Sequence, residues 1–131
     1  MTKFATQKID AINGRQNFVE LVVDGKGQLS EYEKKLQKKY LSQFKSILTY
    51  MELAANNLSL PDKKFKDVTP YGEKIKEYEF KKGDLRIYAI DMLNGKIVVL
   101  GGYKNNQKKD FRKFRSLKQQ YLTENNPNEK K

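Results

Sequence analysis

The 131-residue chain contains no cysteine and no histidine. Without cysteine there is no disulfide, no thiolate ligand and no thiol nucleophile. Without histidine there is no imidazole metal ligand and no Ser–His or Cys–His catalytic pair. Any chemistry must therefore be carried by Lys, Arg, Tyr, Asp or Glu. Long apolar runs are lacking as well. The longest aliphatic run, Ile97 to Leu100, falls far short of the ~20 residues that a spanning helix needs. Residues 1–10 have no apolar core of the kind a secretory leader carries. Together these absences set the expectation of a cytoplasmic chain that works without metal, cofactor or membrane.

What the chain has in abundance is positive charge. Lys and Arg number 27 against 16 Asp and Glu, a formal net charge of +11 at pH 7. Such a field draws polyanions: nucleic acid, an anionic surface or an acidic protein. Hydrophobic residues make up 37% of the chain and charged residues 33%. The apolar residues are clustered, as a folded domain requires. The length fits one domain, taken as residues 1–123, with residues 124–131 expected to be a disordered polar tail.

Along the chain, Asn13-Gly14 is a strong two-residue hairpin signal, between a weakly alternating run (4–12) and an apolar, β-branched one (17–23). Asp24 to Gly27 breaks the pattern. Ser30 with Glu33 has the spacing of a capping box. From there Tyr32, Leu36, Tyr40, Phe44, Ile47, Leu48 and Met51 recur at helical steps, with Lys34, Lys35, Lys38, Lys39 and Lys45 on the other face. The pattern predicts one long helix, or a helix pair broken near Ser42, ended by Asn56-Asn57 and Pro61. Residues 59–73 read as a loop. Three strands follow, Ile75 to Lys81, Leu85 to Asp91 and Lys96 to Tyr103, separated by Gly83-Asp84 and Asn94-Gly95. A last helix over Lys108 to Leu122 has an apolar side of Phe111, Phe114, Leu117 and Tyr121. The expected fold is α+β: an antiparallel sheet, made of the three-strand meander plus the N-terminal strand or hairpin, with helices packed on one face.

Strand alternation gives Leu85, Ile87 and Ala89 one face, and Arg86, Tyr88 and Ile90 the other. The first set suits packing against the helices, and the second implies a concave, partly polar open surface. From residue 104 to 118 there are seven basic residues and one acid, Asp110. Lys108, Arg112 and Arg115 share a helix face that could track phosphates. Two readings stay open at each point. The charge run is either a solvated face or a phosphate track. Arg86 is either functional or an arginine lying over the sheet and pairing with an acid such as Glu79. Tyr88 and Tyr103 are either half-buried sheet aromatics or stacking platforms, while Tyr32 and Tyr40 read as core.

The stretch Ile75 to Ile90 (IKEYEFKKGDLRIYAI) resembles the central hairpin of RelE/HigB-type toxins of bacterial toxin–antitoxin systems. The stretch Asn94 to Lys109 (NGKIVVLGGYKNNQKK) looks like that family's third strand and following basic segment. Tyr103, Lys104, Gln107 and Lys108 match the HigB-like branch, and the order of elements agrees over residues 30–122. The resemblance implies a RelE-like fold and the toxin component of a type II pair. That activity is metal-independent mRNA cleavage, often on the ribosome, by attack of a ribose 2′-OH on the neighbouring phosphate. It also implies an acidic antitoxin with a DNA-binding helix-turn-helix as partner.

Such chemistry needs a proton acceptor, a proton donor and cations on the phosphorane. By the resemblance, Arg86 would hold the scissile phosphate, and Lys104 would do the same or shuttle a proton. Tyr88, Tyr103, Gln107, Lys108, Lys109, Arg112 and Arg115 would hold the RNA. The chain departs from the pattern at Asn105, where a second Arg can stand, and has no counterpart of the late His of some members. The alternatives are a non-catalytic RNA-binding protein of the same fold, such as a decayed or phage-derived relative, and a domain whose basic face meets only an acidic protein.

Overall fold

The computed structural model describes residues 2–125. The chain runs through β1 (Phe4–Lys8), β2 (Asn17–Val23), β3 (Lys26–Gly27), α1 (Gln28–Lys35), α2 (Leu41–Ala55), β4 (Phe65–Asp67), β5 (Glu77–Lys82), β6 (Leu85–Met92), β7 (Gly95–Tyr103) and α3 (Gln107–Asn125). Short 3-10 turns precede α2 (Lys38–Tyr40) and α3 (Lys104–Asn106). The strands lie in the order β1-β2-β7-β6-β5-β4, with β3 paired to β2. The fold is α+β, but the sheet is mixed rather than antiparallel. β2 and β7 run parallel, with Asn17 opposite Gly95 and Glu20 opposite Val98. A parallel neighbour needs a long crossover, and here the chain from β3 through α1 and α2 to β6 supplies it.

The three meander strands stand where the alternation set them. Gly83-Asp84 links β5 to β6, and the second link is Leu93-Asn94, with Gly95 already inside β7. The first hairpin differs from its expected form. β1 and β2 pair antiparallel, but the connection runs from Ile9 to Gln16 and buries Ile9 and Ile12. Gly14 serves close packing, not a tight turn, since a Cβ there would meet the Ala55 Cβ at 2.7 Å. The two-residue turn with positive φ is Asp24-Gly25, between β2 and β3.

The long helix is a pair, broken at Leu36–Gln37 rather than near Ser42. Its first half starts at Gln28, so Ser30 lies inside the first turn and is not the cap. The cap comes from the sheet: Glu20 accepts from the Ser30 amide at 2.9 Å and from its hydroxyl at 2.8 Å. A carboxylate there also faces the positive end of the helix dipole. The expected loop 59–73 contains the short edge strand β4. Helix α3 runs to Asn125, so residues 124 and 125 of the expected tail are helical; the rest of that tail lies outside the described residues.

Helices cover both faces of the sheet, not one. On one face Phe44, Ile47 and Met51 of α2 and Leu29 of α1 share a core with Phe18, Phe80, Leu85, Ile87, Ala89 and Val98 of the sheet. On the other, Phe114 of α3 shares a core with Leu21, Tyr88, Ile90, Ile97, Val99 and Leu100. The cause is in β7: four consecutive aliphatic residues put apolar surface on both sides, and each side must be covered. A register shift at Tyr88/Ala89 turns both Val99 and Leu100 toward α3.

Candidate nucleic-acid interface

Exposed cations gather at one end of the sheet. There the β5–β6 turn, the exit of β7, the 3-10 turn before α2 and the start of α3 meet. Helix α1 stops because Leu36 is extended, and the following turn carries Lys38, Lys39 and Tyr40 to this end. The Tyr40 ring lies 5.7 Å from that of Tyr103 at the end of β7, and the Lys39 Nζ sits 5.1 Å over Tyr40. Tyr32 flanks Tyr103 from the other side at 6.0 Å and donates its hydroxyl to the Gly102 carbonyl. Burial first, then the neighbouring Tyr40, pushes the Tyr103 phenol up from its ordinary pKa. The pair is thus an aromatic step whose Tyr103 phenol keeps its proton.

The turn of β5 and β6 is fixed to the same end. The Lys104 amide donates to the Asp84 carbonyl at 2.8 Å, and Gln43 of α2 accepts from the Asp84 amide. Around the tyrosines Lys38, Lys39, Lys82, Lys104 and Lys108 are exposed. Lys104, Lys108, Lys109 and Arg112 make no ion pair among the described residues, so their charge faces solvent. Exposed cations around an aromatic step can hold phosphates while the rings stack bases.

Other residues singled out from sequence lie elsewhere. Arg86 and Tyr88 do not line an open concave surface: Phe111 and Phe114 of α3 pack on Tyr88, and the Arg86 guanidinium folds back on its own turn. Arg86 is only 8% exposed, and its Nη1 donates to the Gly83 and Leu85 carbonyls at 2.7 and 2.8 Å. Its Nε is buried without a partner. It does not pair with Glu79. Tyr88 is fully buried, stacked on Phe114 at 5.3 Å, and its hydroxyl has no well-formed hydrogen bond. Burial, then the charges of Glu79 and Asp110, raise its pKa.

Gln107 and Arg115 are engaged internally. Gln107 donates to the buried Glu79 carboxylate at 2.7 Å. The Arg115 Nε donates to Glu77 at 2.9 Å and its Nη2 to the Val68 carbonyl. The expected phosphate track of Lys108, Arg112 and Arg115 therefore loses its third member to the sheet.

Sequence reasoning missed Lys38, Lys39 and Tyr40 as surface partners of Tyr103. No glycine or proline marks the break at Leu36–Gln37, so nothing in the pattern announces it. It also missed the polar strip of Glu77, Glu79 and Lys81 on β5, where Lys81 lies 4.0 Å from Glu79. That strip was legible, since alternation with Tyr78 and Phe80 puts all three on one face. No group of three or more acidic side chains among the described residues has metal-holding geometry, and no described helix is long and apolar enough to cross a membrane. Comparison of the chain with protein-family models, with curated proteins and with solved structures finds no match.

Proposed function

We propose that the chain grips RNA at its basic end and acts as the toxin component of a type II toxin–antitoxin pair, a metal-independent mRNA endoribonuclease. One observation carries the reading: the Tyr40–Tyr103 step, with Lys39 over Tyr40, stands at the sheet end where Lys38, Lys82, Lys104 and Lys108 are exposed. The order of strand, helix pair, three-strand meander and closing helix supports the RelE/HigB resemblance. The surface charge suits both a phosphate backbone and an acidic antitoxin.

In this geometry Lys104 is the exposed candidate for the reacting phosphate. Arg86 is a positioning residue: through the Gly83 and Leu85 carbonyls it holds the turn whose Asp84 carbonyl receives the Lys104 amide. The enclosure of Arg86 favours a second reading, an RNA-binding protein of the same architecture without catalysis.

The test is fluorescence anisotropy with labelled single-stranded RNA across a salt series, with RNA integrity followed in the same tubes. Affinity should fall log-linearly with salt. The Lys39→Ala/Lys104→Ala variant should flatten the slope by about 1.4, two phosphates' worth for a single strand. Cleavage that disappears with Lys104→Ala supports the toxin. Intact RNA with the same salt slope moves the conclusion to the second reading, and weak, salt-insensitive binding removes RNA from both.

A further inference from the structure

The opposite end of the sheet holds a polar cleft of about 690 Å³ that the basic end does not use. We infer that it is a binding site for a single nucleotide unit, a nucleoside monophosphate or the phosphorylated end of a strand. The inference does not rest on the RNA reading of the basic end. Arg86 and Asp91 lie five residues apart on β6, roughly 17 Å along an extended strand, which keeps the two ends distinct.

The cleft sits where the parallel strands β2 and β7 begin side by side and where α2 ends. Its walls are held rigidly. A Cβ on Gly95 would overlap the Asn17 carbonyl, so only glycine allows this approach. The Asn17 amide donates to the Asn94 carbonyl at 2.7 Å, and the Gln16 amide donates to Ala55 at 2.9 Å. The loop before β2 is further clamped to α2 by the Asn13 amide donating to Glu52 and by Asn56 Nδ2 donating to the Asn13 carbonyl.

The floor is one buried cation and one carboxylate. Lys96 is 8% exposed, and its Nζ donates to Asp91 at 3.3 Å while lying 4.5 Å over the Tyr78 ring. Tyr78 donates its hydroxyl to the other Asp91 oxygen at 3.3 Å. This uses one of the three Lys96 donors and leaves lone pairs on Asp91. Burial, then Asp91, pushes the Tyr78 phenol up to about 12, so it remains a donor.

Above the floor stand carboxamides. Gln16 Nε2 donates to Asn57 Oδ1 at 2.7 Å. That leaves the Gln16 oxygen and the Asn57 amide nitrogen free to face a ligand, a donor beside an acceptor. Such a pair matches the edge of a nucleobase. Arg15 also lines the cleft, is exposed and makes no ion pair among the described residues. Arg15 and Lys96 less Asp91 give the lining a net charge of +1. That suits one phosphate and not a run of them. Met92 lines the cleft and gives it an apolar patch for the face of a base.

The test is a two-dimensional amide NMR titration of the full chain with AMP, GMP, CMP and UMP, and with adenosine, inorganic phosphate and glutamate as controls. Saturable shifts should concentrate at residues 15–17, 57 and 91–96 with at least one mononucleotide. Arg15→Ala should weaken the monophosphate about tenfold, the effect of one charged hydrogen bond, and leave adenosine unchanged. Asn57→Ala should weaken both, and Lys39→Ala/Lys104→Ala neither. A 5′-phosphorylated oligonucleotide that shifts the same residues identifies a strand end as the natural source; if only mononucleotides do, the source is a free nucleotide. The inference is overturned if no mononucleotide saturates by about 10 mM, or if phosphate or glutamate alone reproduces the shifts.

Discussion

The two faces of the sheet are both buried, but by different physics. Against α1 and α2 the interior is mainly apolar: Phe44, Ile47 and Met51 pack with Phe80, Ile87 and Val98, and the buried charges, Glu20 at the start of α1 and Lys96 over Tyr78, stand at its margins. Against α3 an apolar strip of Tyr88, Ile90 and Phe114 is bordered by buried charge. Lys118 is almost wholly enclosed and donates to Glu77 and Glu73 at 2.8 Å and to the Ile75 carbonyl. Arg115 completes the cluster on Glu77, and Gln107 reaches Glu79. Apolar packing tolerates small changes of shape and is indifferent to salt. A buried ion cluster is stable only while complete, because one missing partner leaves a desolvated charge. Helix α3 is thus fixed along β5 by groups that specify its position more than they add to stability.

That contrast can be broken most sharply at Glu77. Glu77→Ala takes from Lys118 its only buried carboxylate, leaving Glu73 and the Ile75 carbonyl, and takes from Arg115 its carboxylate partner; it should destabilise the fold by about 3 kcal/mol, read by urea unfolding. Amide exchange should rise first in α3 and the segment 68–76. Replacing the pair together, Glu77→Leu with Lys118→Met, should recover most of the loss, since the two enclosed charges leave together while Arg115 and Glu73, both partly exposed, can turn to water. If the single variant costs less than about 1 kcal/mol, the cluster is not the clasp described.

On the dry face, Ile47→Val removes one methylene from a fully buried site. It should cost about 1 kcal/mol, unchanged by salt or pH, in the same unfolding assay. A marked salt dependence would remove the distinction between the faces.

The smallest expected effect is at the exposed edge. Asp67 accepts from the Thr69 hydroxyl and amide, which holds its carboxyl below the usual value, with a further pull from Lys76. A depressed carboxylate stabilises the fold above its unfolded pKa, and that stability is lost as pH falls through the folded value. Asp67→Ala should therefore cost about 0.5 kcal/mol at pH 7, discounted for solvent screening, and nothing near pH 2. An equal cost at both pH values would mean that the carboxylate charge is not involved.

Much of this was legible in the residues. Period-two alternation located β5, β6 and β7, and the Gly83-Asp84 turn followed from its glycine, which has φ +56°. The apolar side of α3 followed from Phe111, Phe114, Leu117 and Tyr121, all of which pack on the sheet or its margin. The break after α1 was not legible, because Leu36 and Gln37 are ordinary helix residues whose extended backbone answers to packing. Nor was the enclosure of Arg86. Its strand position was clear, but whether a helix lies over that face depends on where α3 folds back.

The sequence by itself determined the charge, the absence of thiol and imidazole chemistry, the meander and the amphipathic helices. These depend on side-chain type and on periods spanning a few residues. Only the tertiary structure decided the parallel joining of β2 to β7, the cover on both sheet faces, and the gathering of Lys39, Tyr40, Tyr103 and Lys104 at one end. Those outcomes depend on contacts between residues dozens of positions apart; the aliphatic run Ile97 to Leu100 requires that both faces of β7 be covered, but not which helix covers which face.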